Sequence, residues 1–183
     1  MKILNVLLDN HIGGPQIRVL AVARELRKDG IESIIVCPND EGNFADRARN
    51  EGFRVYQIDL NSPTYFRGIS EAIYNFKLFI KFIPSTLKIL KIITKENVDV
   101  IHVNGLLNFQ GAIAAKLAGK KLVWHLISSL YPRIIVYLLT PFILLISDHI
   151  IVIAYSLGDY YLGKNFRKYK SKISVVYECV DLK

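Results

Sequence analysis

Two adjacent glycines, Gly13 and Gly14, lie between an apolar run with strand character (residues 3–8) and an amphipathic run with helical character (residues 17–29). Because glycine has no side chain, the first N–H groups of the helix and the positive end of its dipole can reach an anion. The chain contains neither a G-x-G-x-x-G pattern nor the Gly-Lys-Ser/Thr of a Walker loop. The glycine pair therefore indicates either a phosphate-binding loop or a tight turn.

A histidine, His125, lies near the end of the apolar run 121–127. At the carboxyl end of a central strand it would face a ligand cleft and titrate close to neutrality, so it is the leading candidate for catalytic chemistry. The alternative is a histidine that is hydrogen-bonded within the core. His102 and His149 fit structural roles in their strands, whereas His11 adjoins the glycine pair and is a weaker ligand candidate.

The apolar pattern of the chain predicts the strands and helices that would position these residues. Near-continuous Val/Ile/Leu runs alternate with helical patterns, which is typical of a parallel sheet that is covered on both faces. We predict an α/β fold, a three-layer Rossmann-like sandwich with a mostly parallel sheet of about seven strands. The predicted strands are residues 3–8, 31–37, 53–60, 98–103, 121–127, 148–154 and 173–177. The predicted helices are residues 17–29, 44–50, 65–97 with a break or kink at Pro84, 108–117, 132–147 and a short one near 158–162.

Polar and glycine residues follow the predicted strands. Residues 9–16 follow the first strand, Asn104-Gly105 the fourth, Ser128-Ser129 the fifth and Tyr155-Ser156 the sixth. Ligands of such sheets bind beyond the carboxyl ends of the strands. We therefore expect these residues to lie along one rim of the sheet.

Composition narrows the function classes. The formal charge of +8 favours an anionic partner, but the aromatic residues form no stacking platform, so a nucleic acid is not expected. The two cysteines, Cys37 and Cys179, are far apart and predict neither a disulfide framework nor a zinc site. No segment has the apolar length of a signal sequence or a membrane-spanning helix. We expect a cytoplasmic protein without a metal ion.

Five lysines recur at helical spacing in residues 65–97: Lys77, Lys81, Lys88, Lys91 and Lys95. Much of the rest of that region is apolar. A broad apolar face beside a lysine stripe is typical of a helix that lies on an anionic bilayer. An ordinary helix packed on the sheet, with its lysines in water, is the alternative.

The order of these features resembles the N-terminal, acceptor-side half of a glycosyltransferase of family 4, which has the two-domain GT-B fold. The resemblance spans essentially the whole chain, and its individual motifs are short. It rests on Gly13-Gly14-Pro15-Gln16, Ala23-Arg24-Glu25-Leu26 with Gly30, Asp99-Val100-Ile101-His102-Val103-Asn104-Gly105, Leu122-Val123-Trp124-His125, Ser147-Asp148-His149-Ile150-Ile151-Val152 and Val175-Val176-Tyr177-Glu178-Cys179-Val180-Asp181. Glu178-Cys179 departs from the Asn-Gly usual there.

The resemblance implies a retaining, metal-independent transferase that takes a sugar from a nucleotide-sugar donor, without a cofactor, to a lipid-linked or glycan acceptor in polysaccharide biosynthesis. Residues 1–183 would be one Rossmann-like domain. The second, donor-binding Rossmann domain would be supplied in cis or in trans, and the chain alone would be inactive. The implied site comprises His125 as the catalytic residue, Gly13, Gly14 and Gln16 at the donor phosphates, and Asn104, Gly105, Asn108 and Ser128 at the acceptor.

Two alternatives remain open. A sugar-nucleotide epimerase has the same two-domain fold and uses no acceptor. A non-catalytic, membrane-docking subunit of a split glycosyltransferase would use the lysine stripe and would not need His125. Peripheral contact with the inner face of the membrane is expected in the docking case and fits the transferase as well.

Overall fold

A computed structural model describes residues 1–60, 69–163, 166–169 and 171–177, except for the side chains at 69–79, 167 and 168. The strands are β1 (Lys2–Val6), β2 (Glu32–Pro38), β3 (Arg54–Ile58), β4 (Val100–Asn104), β5 (Lys121–Leu126), β6 (His149–Val152) and β7 (Ile173–Val175). The helices are α1 (Gly14–Lys28), α2 (Phe44–Asn50), α3 (Ile69–Glu96), α4 (Phe109–Leu117), α5 (Arg133–Ile146) and α6 (Tyr155–Leu162), followed by a 3-10 helix (Phe166–Tyr169).

All seven strands belong to one parallel sheet with the order β3-β2-β1-β4-β5-β6-β7. The chain starts at the centre, winds outward to β3, and α3 then returns it to β4 on the other side of β1. Leu4 of β1 is aligned with Ile34 of β2 on one side and with Ile101 of β4 on the other. The strand order therefore reverses between β1 and β4, at the centre of the sheet.

Helices cover both faces of the sheet, as predicted. One apolar layer joins sheet residues such as Leu4 and Trp124 to buried residues of α3, α4, α5 and α6. The second layer joins Leu7, Ile35 and Cys37 to α1 and α2. The predicted α/β sandwich with seven parallel strands is confirmed.

The predicted elements all occur, with ends displaced by a few residues. We expected a break or kink at Pro84. The helix α3 runs through this residue without interruption, so there is no break, and the kink stays a prediction. Proline removes one backbone donor, and two neighbouring hydroxyls bond to backbone carbonyls: Thr86 Oγ1 donates to Phe82 O (2.8 Å) and Ser85 Oγ donates to Asp59 O (2.5 Å). The second bond ties α3 to the end of β3.

Replacing Trp124 by alanine is expected to lower the free energy of unfolding by about 3–5 kcal/mol. Trp124 is fully buried, packs edge-on against Phe109 with ring centroids 5.1 Å apart, and donates from Nε1 to Gly105 O (2.9 Å). Urea unfolding measures the loss. The control Leu117→Ala removes a leucine that is 64% exposed and should change stability by less than about 0.5 kcal/mol; equal losses in the two variants would contradict the packing argument.

Candidate active site

The glycine loop lies where the strand order reverses. It connects β1 to α1, and the neighbouring strand β4 ends at Asn104. In parallel α/β sheets the crevice for a ligand forms at this reversal, beyond the carboxyl ends of the strands. The fold therefore brings the loop and the Asn104-Gly105 segment to the same crevice.

Gly13 and Gly14 provide access to the backbone. Gly13 is the N-cap of α1, its φ is −150°, and neither glycine has a positive φ. No side chain caps the helix, and Ile17 N donates the first helical bond to Gly13 O (3.0 Å). A Cβ built on Gly14 would meet no atom within 4 Å, so the space beside Gly14 at the start of the helix is open.

Asn10 fixes this loop to the neighbouring one. Its side chain is completely buried, donates from Nδ2 to Gly42 O (2.9 Å) and accepts at Oδ1 from Ala45 N (2.9 Å). Cys37 Sγ also contacts Asn10 Oδ1 (3.7 Å). A Cβ on Gly42 would come within 2.2 Å of Asn10 O, so only glycine fits there. This anchor was not predicted from the sequence, which offers only an asparagine among other polar residues.

The other polar side chains of the loop form hydrogen bonds within the loop. Gln16 is buried and donates from Nε2 to Asp9 O (3.1 Å), so its side chain shapes the loop while its N–H points out of the helix start. His11 Nδ1 lies 2.8 Å from Asp9 Oδ1, and this hydrogen bond raises the pKa of His11. Asp9, His11 and Asp40 are exposed and hold potential metal-ligating atoms within 4.8 Å of one another. The expectation that no metal ion is needed stays a prediction.

At the end of β4, three predicted acceptor residues join strands together. Asn108 is fully buried and donates from Nδ2 to Val6 O (2.8 Å), which links α4 to β1. Gly105 has a φ of 90°, a conformation that glycine adopts without strain, and its N–H donates to His125 O (2.9 Å). Asn104 is 4% exposed, and its Oδ1 accepts a hydrogen bond from Arg18 of α1. Asn108 therefore holds strand ends together from a fully buried position, and the acceptor roles of the three residues stay predictions.

The fourth predicted acceptor residue, Ser128, follows β5. Its Oγ accepts a hydrogen bond from Leu130 N (3.2 Å), and its carbonyl accepts one from the hydroxyl of Tyr161 in α6. This links the loop after β5 to α6. The acceptor role of Ser128 stays a prediction.

His125 belongs to a polar cluster in which Asn5 and Asn104 are also buried, while Arg18 and His102 are half-buried. Arg18 Nη1 lies 2.5 Å from His125 Nδ1, and Arg18 Nη2 donates to Asn104 Oδ1 (2.7 Å). His102 Nε2 lies 3.2 Å from His125 Nδ1, and His102 Nδ1 lies 2.8 Å from Asn5 Oδ1. One guanidinium on α1 therefore connects the ends of β4 and β5. Arg18 was not predicted as a site residue.

Burial makes His125 a poor acid or base. Its side chain is 3% exposed, and burial, reinforced by the positive charge of Arg18, lowers its pKa to about 2. Burial first and Arg18 second likewise lower the pKa of His102 to about 3. The expectation that His125 titrates near neutrality was therefore wrong: the ring is neutral at physiological pH. His102 is half-buried and hydrogen-bonded to Asn5 within its sheet, in line with the structural role expected of it, and it also contacts His125.

The guanidinium of Arg18 lies against both ring nitrogens of His125. Its Nη1 is 2.5 Å from Nδ1 and 3.2 Å from Nε2. A guanidinium can only donate, so it bonds to the ring nitrogen that carries no hydrogen. The cluster adjoins a cavity of about 250 Å³ whose lining includes Val22, Ile151 and Tyr177. The site thus offers a fixed cation and a neutral imidazole.

The lysines predicted to contact a membrane differ in their surroundings. Lys81 forms an ion pair with Asp59 (2.7 Å), and Lys95 Nζ lies 5.6 Å from the ring centroid of Tyr56. Lys88 and Lys91 are exposed, whereas the side chain of Lys77 lies outside the described residues. Buried Ile89 and Ile93 pack this part of α3 on the sheet, in line with an ordinary packed helix. No helix among the described residues has the length and apolarity to cross a membrane.

The sequence matches the model of Glycosyltransferase Family 4 over residues 12–183. It matches no curated protein significantly. Residues 178–183, which carry the departing Glu178-Cys179 motif, belong to the matched range but lie outside the described residues.

Solved structures resemble the fold at low sequence identity. Anabaena HepE in complex with UDP-glucose is 17% identical, with a TM-score of 0.73 over 99% of this chain and 44% of that one. A glycosyltransferase from Rickettsia africae is 18% identical, with a TM-score of 0.71 over 96% and 42%. A putative UDP-N-acetylglucosamine 2-epimerase from Listeria monocytogenes is 14% identical, with a TM-score of 0.63 over 95% and 44%. The chain thus spans less than half the length of these proteins.

Proposed function

The chain belongs to glycosyltransferase family 4, and on that premise we propose that it is the acceptor-side domain of a retaining glycosyltransferase. The enzyme would move a sugar from a nucleotide-sugar donor to a lipid-linked or glycan acceptor in polysaccharide biosynthesis. It would act in the cytoplasm, without a metal ion. One observation carries the proposal: the helix that begins at the bare glycine pair, at the reversal of strand order, also carries Arg18, whose guanidinium contacts His125 and Asn104.

The chemistry of the cluster suits the stabilisation of a leaving diphosphate. Negative charge grows on the phosphate as the glycosidic bond breaks, and fixed donors lower the free energy of that state. The N–H groups of Gly14 and Gln16 and the guanidinium of Arg18 are such donors. Because His125 is neutral, it would contribute a hydrogen bond rather than a charge to the sugar or the acceptor, and the leaving phosphate would help deprotonate the acceptor hydroxyl.

A second Rossmann domain, in cis or in trans, would supply the remaining contacts to the donor. HepE, in complex with UDP-glucose, is more than twice as long as the part of it that this chain matches. We therefore expect the 183-residue chain to bind a nucleotide sugar with a Kd of about 1 mM, equivalent to about −4 kcal/mol. We expect it to transfer no sugar.

NMR titration with UDP-glucose tests this proposal. The amide signals of Gly14 and Gln16 should shift on binding, and Gly14→Val should weaken the shifts because it adds a branched side chain at the bare start of the helix. Glu25→Ala, at an exposed position on a later turn of α1, is the control and should leave them unchanged. Shifts confined to other regions would refute the phosphate assignment, and sugar transfer by this chain alone would refute the need for a second domain.

The structural likeness to a putative 2-epimerase favours one second candidate. An epimerase half-domain would change the nucleotide sugar itself and use no acceptor. Product analysis with a labelled donor and the complete enzyme separates the two, because only a transferase moves the label to a second molecule. A non-catalytic docking subunit is the third possibility, and it would retain activity in the assembled enzyme when His125 is replaced by alanine.

A further inference from the structure

Helix α5 exposes a continuous apolar stripe. Its outward positions recur at the spacing of one helical face and are all apolar or aromatic. Their exposed fractions are Ile134 70%, Tyr137 79%, Leu138 66%, Phe142 43% and Leu145 76%, and Leu130, just before the helix, is 81% exposed. We call Ile134, Tyr137, Leu138, Phe142 and Leu145 the α5 stripe.

The α5 stripe is not needed for folding. The opposite face of α5 packs on the core through the buried Val136, Thr140 and Ile143. A helix that meets water on its outer face normally carries charged residues there, but α5 has none after Arg133. Single exposed apolar residues are ordinary, whereas a contiguous set of them marks an interaction surface.

Cations lie at both ends of the stripe. At the start, the guanidinium of Arg133 lies 5.6 Å from the ring centroid of Tyr160. At the end, Lys172 Nζ donates to Leu144 O, and Lys116 and Lys121 pair with Asp148, which follows α5. Two lysines therefore share one carboxylate and Lys172 bonds to a backbone carbonyl, which leaves a net positive charge at this end.

Tyrosines border the stripe on the side of α6. A groove of about 790 Å³ between α5 and α6 is lined by Tyr137, Tyr160, Tyr161 and Tyr169 among others. Tyr137 and Tyr169 are 79% and 47% exposed. A tyrosine ring has an apolar body and a polar tip, so it is stable at a boundary between hydrocarbon and water.

We propose that the α5 stripe docks the domain on the surface of an anionic bilayer, with α5 lying in the plane of the interface. The α5 stripe would insert at the boundary between the lipid headgroups and the acyl chains. The tyrosines would lie at the level of the headgroups, and the flanking cations would pair with lipid phosphates. A second copy of the chain fits less well, because a symmetric contact would bring two cationic ends close together. With only 14 residues, α5 is shorter than the roughly 20 that a spanning helix needs.

This proposal deepens the proposed function, since a bilayer surface would present a lipid-linked acceptor to the crevice. It also differs from the predicted contact through the lysines of α3. In α3 the exposed apolar residues with described side chains are Ile80, Ile83 and Leu87. The lysine stripe and the α5 stripe are therefore separate candidates, and they can be tested against each other.

Vesicle co-sedimentation of the 183-residue chain is the test, and it needs neither donor nor second domain. We expect binding to vesicles of phosphatidylcholine with phosphatidylglycerol, less binding to phosphatidylcholine alone, and less at high salt. Leu138→Glu should lower the partition coefficient about tenfold or more, because it loses apolar burial and adds a negative charge. The matched variant Ile83→Glu, at a 67% exposed position of α3, should retain most of the binding.

Circular dichroism and size-exclusion chromatography accompany each variant. Unchanged helicity keeps the comparison valid, and Leu138→Ala provides a milder second variant that should fall between the wild type and Leu138→Glu. Unaltered binding of Leu138→Glu would overturn the proposal, as would a larger loss in Ile83→Glu. A wild-type dimer that Leu138→Glu converts to a monomer, without vesicle binding, would assign the stripe to a second copy instead. None of these results bears on sugar transfer.

Discussion

Lowering the pH from about 7 to about 5 is expected to reduce the free energy of unfolding by about 4 kcal/mol through His102 and His125 together. Burial, with Arg18 as the second cause, lowers their pKa values to about 3 and about 2, from an ordinary value of 6.5. The unfolded chain therefore binds protons below pH 6.5 that the folded chain cannot bind. Stability falls as the pH drops through 6.5 and continues to fall towards the folded-state pKa values. Urea unfolding at a series of pH values measures the slope.

Variants of the two histidines test whether the polar cluster causes this pH dependence of stability. His102→Asn and His125→Asn should each remove about half of the contribution of the pair, because asparagine does not titrate. His149→Asn is the control, since that ring contacts Ser174 (2.9 Å) outside the cluster. If the double variant kept the acid sensitivity of the wild type, the two histidines would not be its source.

Replacing Arg18 by alanine is expected to lower kcat by about 10²–10³-fold in the complete enzyme with its donor-binding domain. The change removes a fixed cation beside the crevice and also the donor that contacts the ring of His125 and Oδ1 of Asn104. Steady-state kinetics should show a smaller change in KM than in kcat, since the guanidinium acts mainly on charge that develops during the reaction. Arg18→Lys should recover part of the rate, because it restores the charge without the planar fork.

Two further measurements distinguish a catalytic role of Arg18 from a purely structural one. Arg24→Ala removes an arginine of the same helix that faces Glu51 (3.6 Å) and should leave kcat within about twofold. NMR titration of Arg18→Ala should show a higher pKa for His125, because the positive charge of Arg18 helps to lower it. A variant with nearly wild-type kcat would show that Arg18 serves only the fold.

The sequence was sufficient for the scaffold because strands and helices follow from local periodicity. Residues 3–8 and 121–127 were predicted as strands, and the structure has Lys2–Val6 and Lys121–Leu126. The ends differ because apolar residues continue past the last strand residue: Leu7 remains in the core after β1 has ended. The continuity of α3 through Pro84 was not predicted, because a proline in a helical pattern often marks a helix boundary.

The candidate site was only partly predictable, because its contacts join distant parts of the chain. Arg18 is 107 residues from His125, and in the helical pattern of α1 it looks like an ordinary polar residue between Ile17 and Val19. The depth of His125 could not be inferred either, since its burial depends on α1. The glycine pair was predictable because a bare helix start is a local property.

The buried Asn10 has an entropic consequence for affinity. A phosphate loop that is mobile must lose conformational freedom when it closes on its ligand, and that loss weakens binding. Here Asn10 already ties the loop to Gly42 and Ala45 in the free protein. Binding would therefore require little further ordering of the loop. The weak affinity expected of this domain reflects the donor contacts that it lacks and not a loss of loop entropy.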